Sequence, residues 1–486
     1  MNEEKGNILS KFKSNKSIYL LILILVASFG IRFRDFSASR PPGWDIYFHG
    51  RMAEEIHETN RVPRYDQMAY GGRRNTYPPL YHVFLSIAPS IGISAVLFGQ
   101  IITPLIFIAG LILLYLVIKE THDDKTALLS TFLFSFSWGV LKFTSVDAQP
   151  TAIIMALFIA MLYLIQKNKI LYILPLAVML PFIHLSSFII GLFILMKSLF
   201  VSKNRKWIFL IGSLIIALSV IVAYPHFSQD IPPTLARQIH GLNWSLIIKL
   251  SPIALILAIG GIYRKKLNSF WGSIFIVSLA LIALELIETS RGLLFLSLGI
   301  SVISASYLIS NWGLKDIFHS HEIILSSKKI KTGVIVSWVI LISMISFQVI
   351  YPLTFSPLGH HLVLTEEKDE ALQWINQNTL KNSVIMSGPD HWVTGRANRP
   401  TYMDGYFRGQ KDVAQRYEYV EAVYNSNEEK FFEAISQVDY VLIFKDTLFF
   451  SVDTSMHEEH LLREFENSET VIYKVPEEVR NKSLEK

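Results

Sequence analysis

The chain has no cysteine, and only 17% of its 486 residues are charged. The first absence excludes disulfides, zinc–thiolate sites, iron–sulfur clusters and thiol nucleophiles. Chemistry must rest on carboxylates, imidazoles, amines, guanidinium or phenol groups, or on a recruited ion. The second absence separates the chain from soluble domains, where about a quarter of residues are charged. The net charge is only +5, and Lys and Arg scatter between apolar runs rather than gathering on one module, which argues against a nucleic-acid partner. There is no internal repeat, no low-complexity stretch and no G-x-x-x-x-G-K-[ST] loop, so an ATP-driven pump is not indicated.

What is present is apolar: 51% of residues are hydrophobic and the mean hydropathy is +0.37. Runs near the ~20 residues that cross a ~30 Å hydrocarbon core recur between Ser17 and Pro352. Eleven spans are predicted, at 17–33, 95–118, 126–145, 149–165, 170–183, 185–200, 207–224, 245–263, 269–288, 292–311 and 333–352. The fold class is thus a polytopic α-helical membrane protein with about eleven transmembrane helices. Residues 1–16 form a tail with Lys5, Lys11, Lys13 and Lys16, and the first span reads as an uncleaved anchor. With the N-terminus cytoplasmic, the inner segments hold 18 Lys and Arg, as the positive-inside bias requires. That orientation places the first loop (34–94), the turn at Asp147 and everything after Pro352 outside. Pro78 to Ser90 is then an interfacial helix, not a span, with Pro79 in its first turn. Residues 353–486 differ in character. A helix over Glu366–Asn378 and strands over Ser383–Ser387, Val438–Phe444 and Thr470–Val475 predict a small extracytoplasmic α/β domain beyond the 17–352 membrane domain.

The segment Pro41 to Ile56 carries the most chemical information. A helix starting near Asp45 puts Asp45, His49, Met52 and Ile56 on one face. Asp45 is either an N-cap of an amphipathic interfacial helix or a carboxylate held at the membrane surface as general base or metal ligand, with His49 beside it. Residues 34–76 hold seven Arg and no Lys. The planar guanidinium fork suits bidentate phosphate binding, by a substrate or by lipid headgroups. A second acid, Asp147, lies at the outer turn between the third and fourth spans, either as a helix cap or as a site residue, with Lys142 just inside the boundary. Between the ninth and tenth spans come Glu285, Glu288 and Arg291. Carboxylates near hydrocarbon cost roughly 2–3 kcal/mol unless they face a cavity, so these acids should point inward with Arg291 at the rim, or pair with it. His184 and the loop Pro225–Asn243, with His226 and His240, are expected at the outer surface.

Trp44-Asp45-x-x-Phe48-His49-x-Arg51-x-Ala53-x-x-Ile56, then Pro63 and Asp66, then Tyr77-Pro78-Pro79-Leu80-Tyr81-His82, resembles the first outer loop of GT-C glycosyltransferases. The likeness is nearest to archaeal and bacterial relatives of the oligosaccharyltransferase catalytic subunit. Such enzymes take a sugar or glycan from a polyprenyl-phosphate carrier, and the resemblance places their first-loop catalytic aspartate on Asp45. Substrate contacts are expected for His49, Arg51, Tyr77, His82 and Glu288, Lys142 is either a snorkelling residue or a phosphate contact, and the resemblance implies carrier-phosphate binding for Arg291. It makes Asp147 the first position of a second acidic motif that helps hold a divalent metal, Mg²⁺ or Mn²⁺, with Asp45; the second position is Gln149, a weaker ligand than a carboxylate. Ser387 to Gly405 resembles the strand, turn and Ala-Asn-Arg segment of the oligosaccharyltransferase soluble domain, but the Trp-Trp-Asp acceptor motif is absent. The reading is a multi-pass cell-membrane glycosyltransferase with an extracytoplasmic active site, a polyprenyl-phosphate sugar donor, an unassigned acceptor and lipid contacts. A transporter or flippase for lipid-linked sugars and a non-catalytic membrane binding protein are its rivals.

Overall fold

The structure, a computed structural model, describes residues 2–227, 251–263, 270–284, 287, 289–311, 339, 342–343, 363–388, 391–403, 412–446 and 452–482. Glu285, Glu288, residues 228–243 of the loop carrying His240, and nearly all of the eleventh span lie outside them.

Thirteen described helices form the first part of the chain. They are α1 (Asn2–Arg32), α2 (Asp45–Thr59), α3 (Leu80–Leu85), α4 (Ala95–Thr121), α5 (Asp124–Ser135), α6 (Trp138–Thr144), α7 (Pro150–Gln166), α8 (Ile170–Ile183), α9 (Ser187–Lys197), α10 (Arg205–Phe227), α11 (Pro252–Gly261), α12 (Phe270–Ala283) and α13 (Thr289–Asn311). Ser94 caps α4 by accepting from the Leu97 amide, and Asp123 caps α5 by accepting from Thr126. At ~1.5 Å per residue α4 is roughly 40 Å long, enough to cross a bilayer. Ala95–Thr121, Arg205–Tyr224 and Arg291–Ser310 are each long and apolar enough to span. The expected third span is instead two helices, α5 and α6, bent by 64°. Large apolar side chains such as Leu23, Ile221 and Ile256 face outward, a surface that suits lipid and not water.

The bend between α5 and α6 is held by a buried cation. Arg32, at the end of α1, donates to the Ser135 carbonyl at 2.9 Å, to Thr144 Oγ1 at 2.9 Å and to Ser28 Oγ at 2.6 Å. Its charge sits at the carboxyl end of α5, where the helix dipole favours a cation. It thereby ties α1 to both arms of the bend and fixes the path of α6 towards Asp147.

The C-terminal part is a four-stranded sheet of order β3-β4-β6-β5, formed by β3 (Ile385–Met386), β4 (Tyr440–Phe444), β5 (Leu462–Glu466) and β6 (Thr470–Lys474). A first-loop ribbon, β1 (Tyr65–Asp66) with β2 (Arg73–Arg74), lies apart from it. β3 runs parallel to β4, and the other pairings are antiparallel. β4 is almost uniformly apolar because both its faces are covered. Val441 and Ile443 pack with α15 (Val413–Tyr424) and α16 (Glu428–Ile435). Leu442 and Phe444 pack with α14 (Glu366–Asn378), Trp392 and Val393, and that same core continues into Ile46, Tyr47 and Ala148 of the helical part. The first loop is also stitched to the sheet: the Tyr70 amide donates to the Thr401 carbonyl, and Thr401 donates to Met68, both at 2.9 Å.

Candidate active site

The first loop turns into α2 at Gly43, whose φ is +85°. A Cβ there would fall inside the Asp147 carboxyl group, so only glycine lets the loop lie on that side chain. Trp44 occupies the N-cap position without a side-chain capping bond, and Asp45 is the first helical residue and not the cap. Half-buried at the positive end of the helix dipole, its charge is favoured there. The Tyr47 hydroxyl donates to the Pro41 carbonyl at 2.9 Å and closes the turn.

Asp147 comes from the turn between α6 and α7. Ala148 takes φ +54°, which costs a non-glycine residue about 1–2 kcal/mol, and the Tyr81 hydroxyl of α3 holds it by donating to its carbonyl. The cap of α7 is Gln149, so Asp147 is not a helix cap. Gln149 Nε2 donates to Asp147 Oδ2 at 2.7 Å. Among the described residues the buried Oδ1 has no partner in hydrogen-bond geometry, although the Ile46 backbone N–H lies close enough to favour its charged form. Burial first, and then the charge of Asp45, push the Asp147 carboxyl well above the ordinary carboxylate range; Gln149 and Lys142 act against them. Two interacting carboxyl groups in one partly dry site favour a shared proton or a bound cation.

Beside the carboxylates lies a cluster of imidazoles. His49, one turn along α2, is 2% exposed and meets His82 of α3 with Nδ1 and Nε2 2.8 Å apart. One ring must donate and the other accept. The Tyr77 ring lies 5.1 Å from His49, 5.3 Å from His82 and 6.1 Å from His184. His391, from the C-terminal part, stacks on Phe48 at 5.1 Å. Burial, followed by His82, His391, His184 and Arg291, holds the His49 imidazole well below its usual value. Burial and then Arg51 take His82 down to about 3, and burial and then Arg73 lower His391. All three rings are neutral near pH 7.

A charged triad borders the cluster. Arg51 makes a bidentate pair with Asp66 at 2.9 Å, and Arg73 adds a third bond at 2.7 Å. Burial pulls the Asp66 carboxyl upward, but the two arginines outweigh it and hold the group well below the carboxylate range. The guanidinium groups of Arg51 and Arg73 lie 5.9 and 5.5 Å from the centre of the Phe48 ring. Arg51 Nε is buried and has no hydrogen-bond partner among the described residues.

Six of the sequence candidates thus converge: Asp45, Asp147, His49, His82, Tyr77 and Arg291, the last in the first turn of α13 and close enough to disfavour a charge on His49. Arg51 is committed to Asp66 through both terminal nitrogens. Lys142 lies with its ammonium 5.8 Å from Trp138 and 5.3 Å from Phe143, near enough to favour ionised Asp147. Glu288 lies outside the described residues. His184, expected at the surface, is 2% exposed and faces Tyr77, and its Nδ1 accepts from the Ser186 amide at 3.0 Å. Sequence reading also missed the part played by His391 and by Gly43, for no spacing rule links either to Asp45.

The resemblance implies a divalent ion. Among the described residues no three His, Asp or Glu side chains are grouped as metal ligands. The donors present still fit a hard ion: Asp147 offers a buried oxygen with no hydrogen-bond partner among the described residues, beside Asp45, and such ions commonly take one or two carboxylates and complete their shell with water and substrate phosphate.

No protein-family model and no curated protein matches the chain. Solved structures do. The oligosaccharyltransferase of Archaeoglobus fulgidus, in its apo form, aligns over 96% of this chain and 75% of its own, with 15% identity and a TM-score of 0.66. The same enzyme in complex with Zn and sulfate aligns over 94% and 74%, with 15% identity and a TM-score of 0.62. ArnT from Cupriavidus metallidurans bound to undecaprenyl phosphate aligns over 95% and 98%, with 10% identity and a TM-score of 0.51. The arabinofuranosyltransferase AftD from Mycobacteria aligns over 94% of this chain and 41% of its own, with 12% identity and a TM-score of 0.54. The chain therefore has the GT-C fold of these glycosyltransferases, the fold that its first-loop residues resemble.

Proposed function

We propose that the protein is a glycosyltransferase that moves a sugar or glycan from a polyprenyl-phosphate donor to an acceptor on the extracytoplasmic face. The observation that carries this reading is the meeting of Asp45 and Asp147 in one partly buried site, beside neutral imidazoles and Arg291. The extracytoplasmic placement follows from the 18 Lys and Arg of the inner segments, and from the donor: nucleotide sugars are cytoplasmic, whereas a lipid carrier presents its phosphate at the membrane surface.

Asp45 takes the proton of an acceptor hydroxyl or amide as that atom bonds to the anomeric carbon. The bond from that carbon to the carrier phosphate breaks, the phosphate keeps the electron pair, and direct displacement inverts the carbon. Asp147 orients Asp45, and Lys142 keeps Asp147 towards its ionised form. Arg291 faces the leaving phosphate, with N–H groups from the His49–His82 pair, the Tyr77 hydroxyl and Arg51 Nε as further donors. A Mg²⁺ or Mn²⁺ ion held by Asp45 and Asp147 would supply positive charge for phosphate oxygens.

The test is Asp45→Asn in cells that otherwise lack the protein, with glycans and lipid-linked sugars measured by mass spectrometry. Loss of the protein-dependent product with the donor accumulating is expected. Normal product from a folded Asp45→Asn variant would falsify the assignment.

A further inference from the structure

The C-terminal part places one indole, that of Trp392, against the segment between the two carboxylates. Trp392 is 3% exposed, and its Nε1 donates to the Gly43 carbonyl at 3.1 Å. The ring is set from behind by Phe444 of β4, edge-on at 5.6 Å, and by the Lys368 ammonium of α14 at 5.5 Å. Lys368 is itself buried and tied to Asp446 at 2.9 Å. Beyond the indole, Gly43 lies against the Asp147 carboxyl, and the peptide whose carbonyl is held stands two residues before Asp45. A second close approach fixes the same geometry: a Cβ on Gly395 would come within 2.5 Å of Tyr47 Cβ, so the turn after Trp392 sits directly on the backbone of α2. A hydrogen bond from a ring packed on the sheet thus ends on the segment that spaces the two acids.

We propose that Trp392 is a positioning residue: by holding Gly43 it sets the separation of Asp45 and Asp147, which makes the C-terminal domain a structural half of the transfer centre. This rests on the carboxylate pair being that centre. It gives the domain a role that does not depend on acceptor recognition.

Trp392→Phe tests it in the full-length protein, since phenylalanine keeps an aromatic ring and removes the only donor the indole has. Hydrogen-exchange mass spectrometry in detergent is expected to show at least tenfold faster exchange in peptides covering 41–50 and 143–152, with β4 and β6 unchanged. Product formation in membranes should fall at least tenfold. The fall should appear in kcat with the KM for donor little changed, since the disturbance lies at the reacting groups and not at the donor contacts. Wild-type exchange at 143–152 overturns the proposal, and so does a uniform acceleration that includes β4 and β6, which marks a merely structural role. If Trp392→Phe does not fold, Lys368→Met, which removes the cation behind the indole while leaving its N–H and lying outside β4 and β6, carries the same expectations and the same overturning results. Asp45→Asn is measured alongside: normal product there overturns the carboxylate reading, while the exchange data still judge the Trp392 link.

Discussion

Replacing Gly43 by alanine tests the contact between the first loop and Asp147 more sharply than replacing either acid. The new methyl group would overlap the Asp147 carboxyl, and restoring an ordinary separation of roughly 3.5 Å forces that group back by about 1 Å or more. A misplacement of about 1 Å at a reacting centre costs on the order of 100-fold in rate. Gly43→Ala also carries backbone strain of about 1–2 kcal/mol from its positive φ, and that must be separated from the collision. Gly92 provides the control, because its φ is +75° and a Cβ there meets nothing within 4 Å. Initial rates of product formation in membranes, normalised to folded protein, should fall about 100-fold for Gly43→Ala and stay within about twofold for Gly92→Ala. Equal rates for the two variants would refute the claim that the loop's approach sets the position of Asp147.

Two further predictions concern stability. Asp66→Asn leaves the guanidinium groups of Arg51 and Arg73, with side chains 13% and 1% exposed, against a neutral amide. Removing one partner of such a buried network costs about 3–5 kcal/mol, and an unchanged thermal unfolding midpoint in detergent would contradict it. Acid should destabilise the first loop through His82. Its folded value is about 3 against about 6.5 for a free imidazole, so the unfolded chain binds the extra proton first and stability is lost as the pH falls through that window. The loss is up to about 1.4 kcal/mol per pH unit, and His82→Asn should flatten the dependence of the unfolding midpoint between pH 6.5 and 4; equal slopes for the two proteins would contradict the assignment.

Elements whose cause is local were legible in the sequence. The helix over Glu366–Asn378 follows from the Thr365 cap, three acids in its first turn and apolar residues at helical spacing. α8 matches its apolar run, and α2 begins at the residue the first-loop pattern indicates. Elements whose cause is distant were not legible. The bend at Phe136–Ser137 has no proline or glycine, and Arg32 holds it from another helix. β5 reads Leu-Arg-Glu-Phe-Glu, too polar for a strand by pattern, and is a strand because it lies at the sheet edge beside β6. At the site, the acids stood out because charge is scarce in this chain, and His49 because it follows Asp45 by one helical turn. His184 and His391 look like isolated loop histidines until tertiary packing sets them around Phe48 and Tyr77.

The guanidinium at the end of α1 has a consequence for biogenesis. An arginine costs roughly 2.5–3.5 kcal/mol at the centre of a span and less near its end, where Arg32 lies, and α1 leaves the ribosome before Ser135 and Thr144 exist to receive its hydrogen bonds. During synthesis Arg32 must stay hydrated at the interface and be drawn inward only when α5 and α6 arrive. The first helix therefore takes its final seat only once α5 and α6 have been made, not when it first enters the membrane.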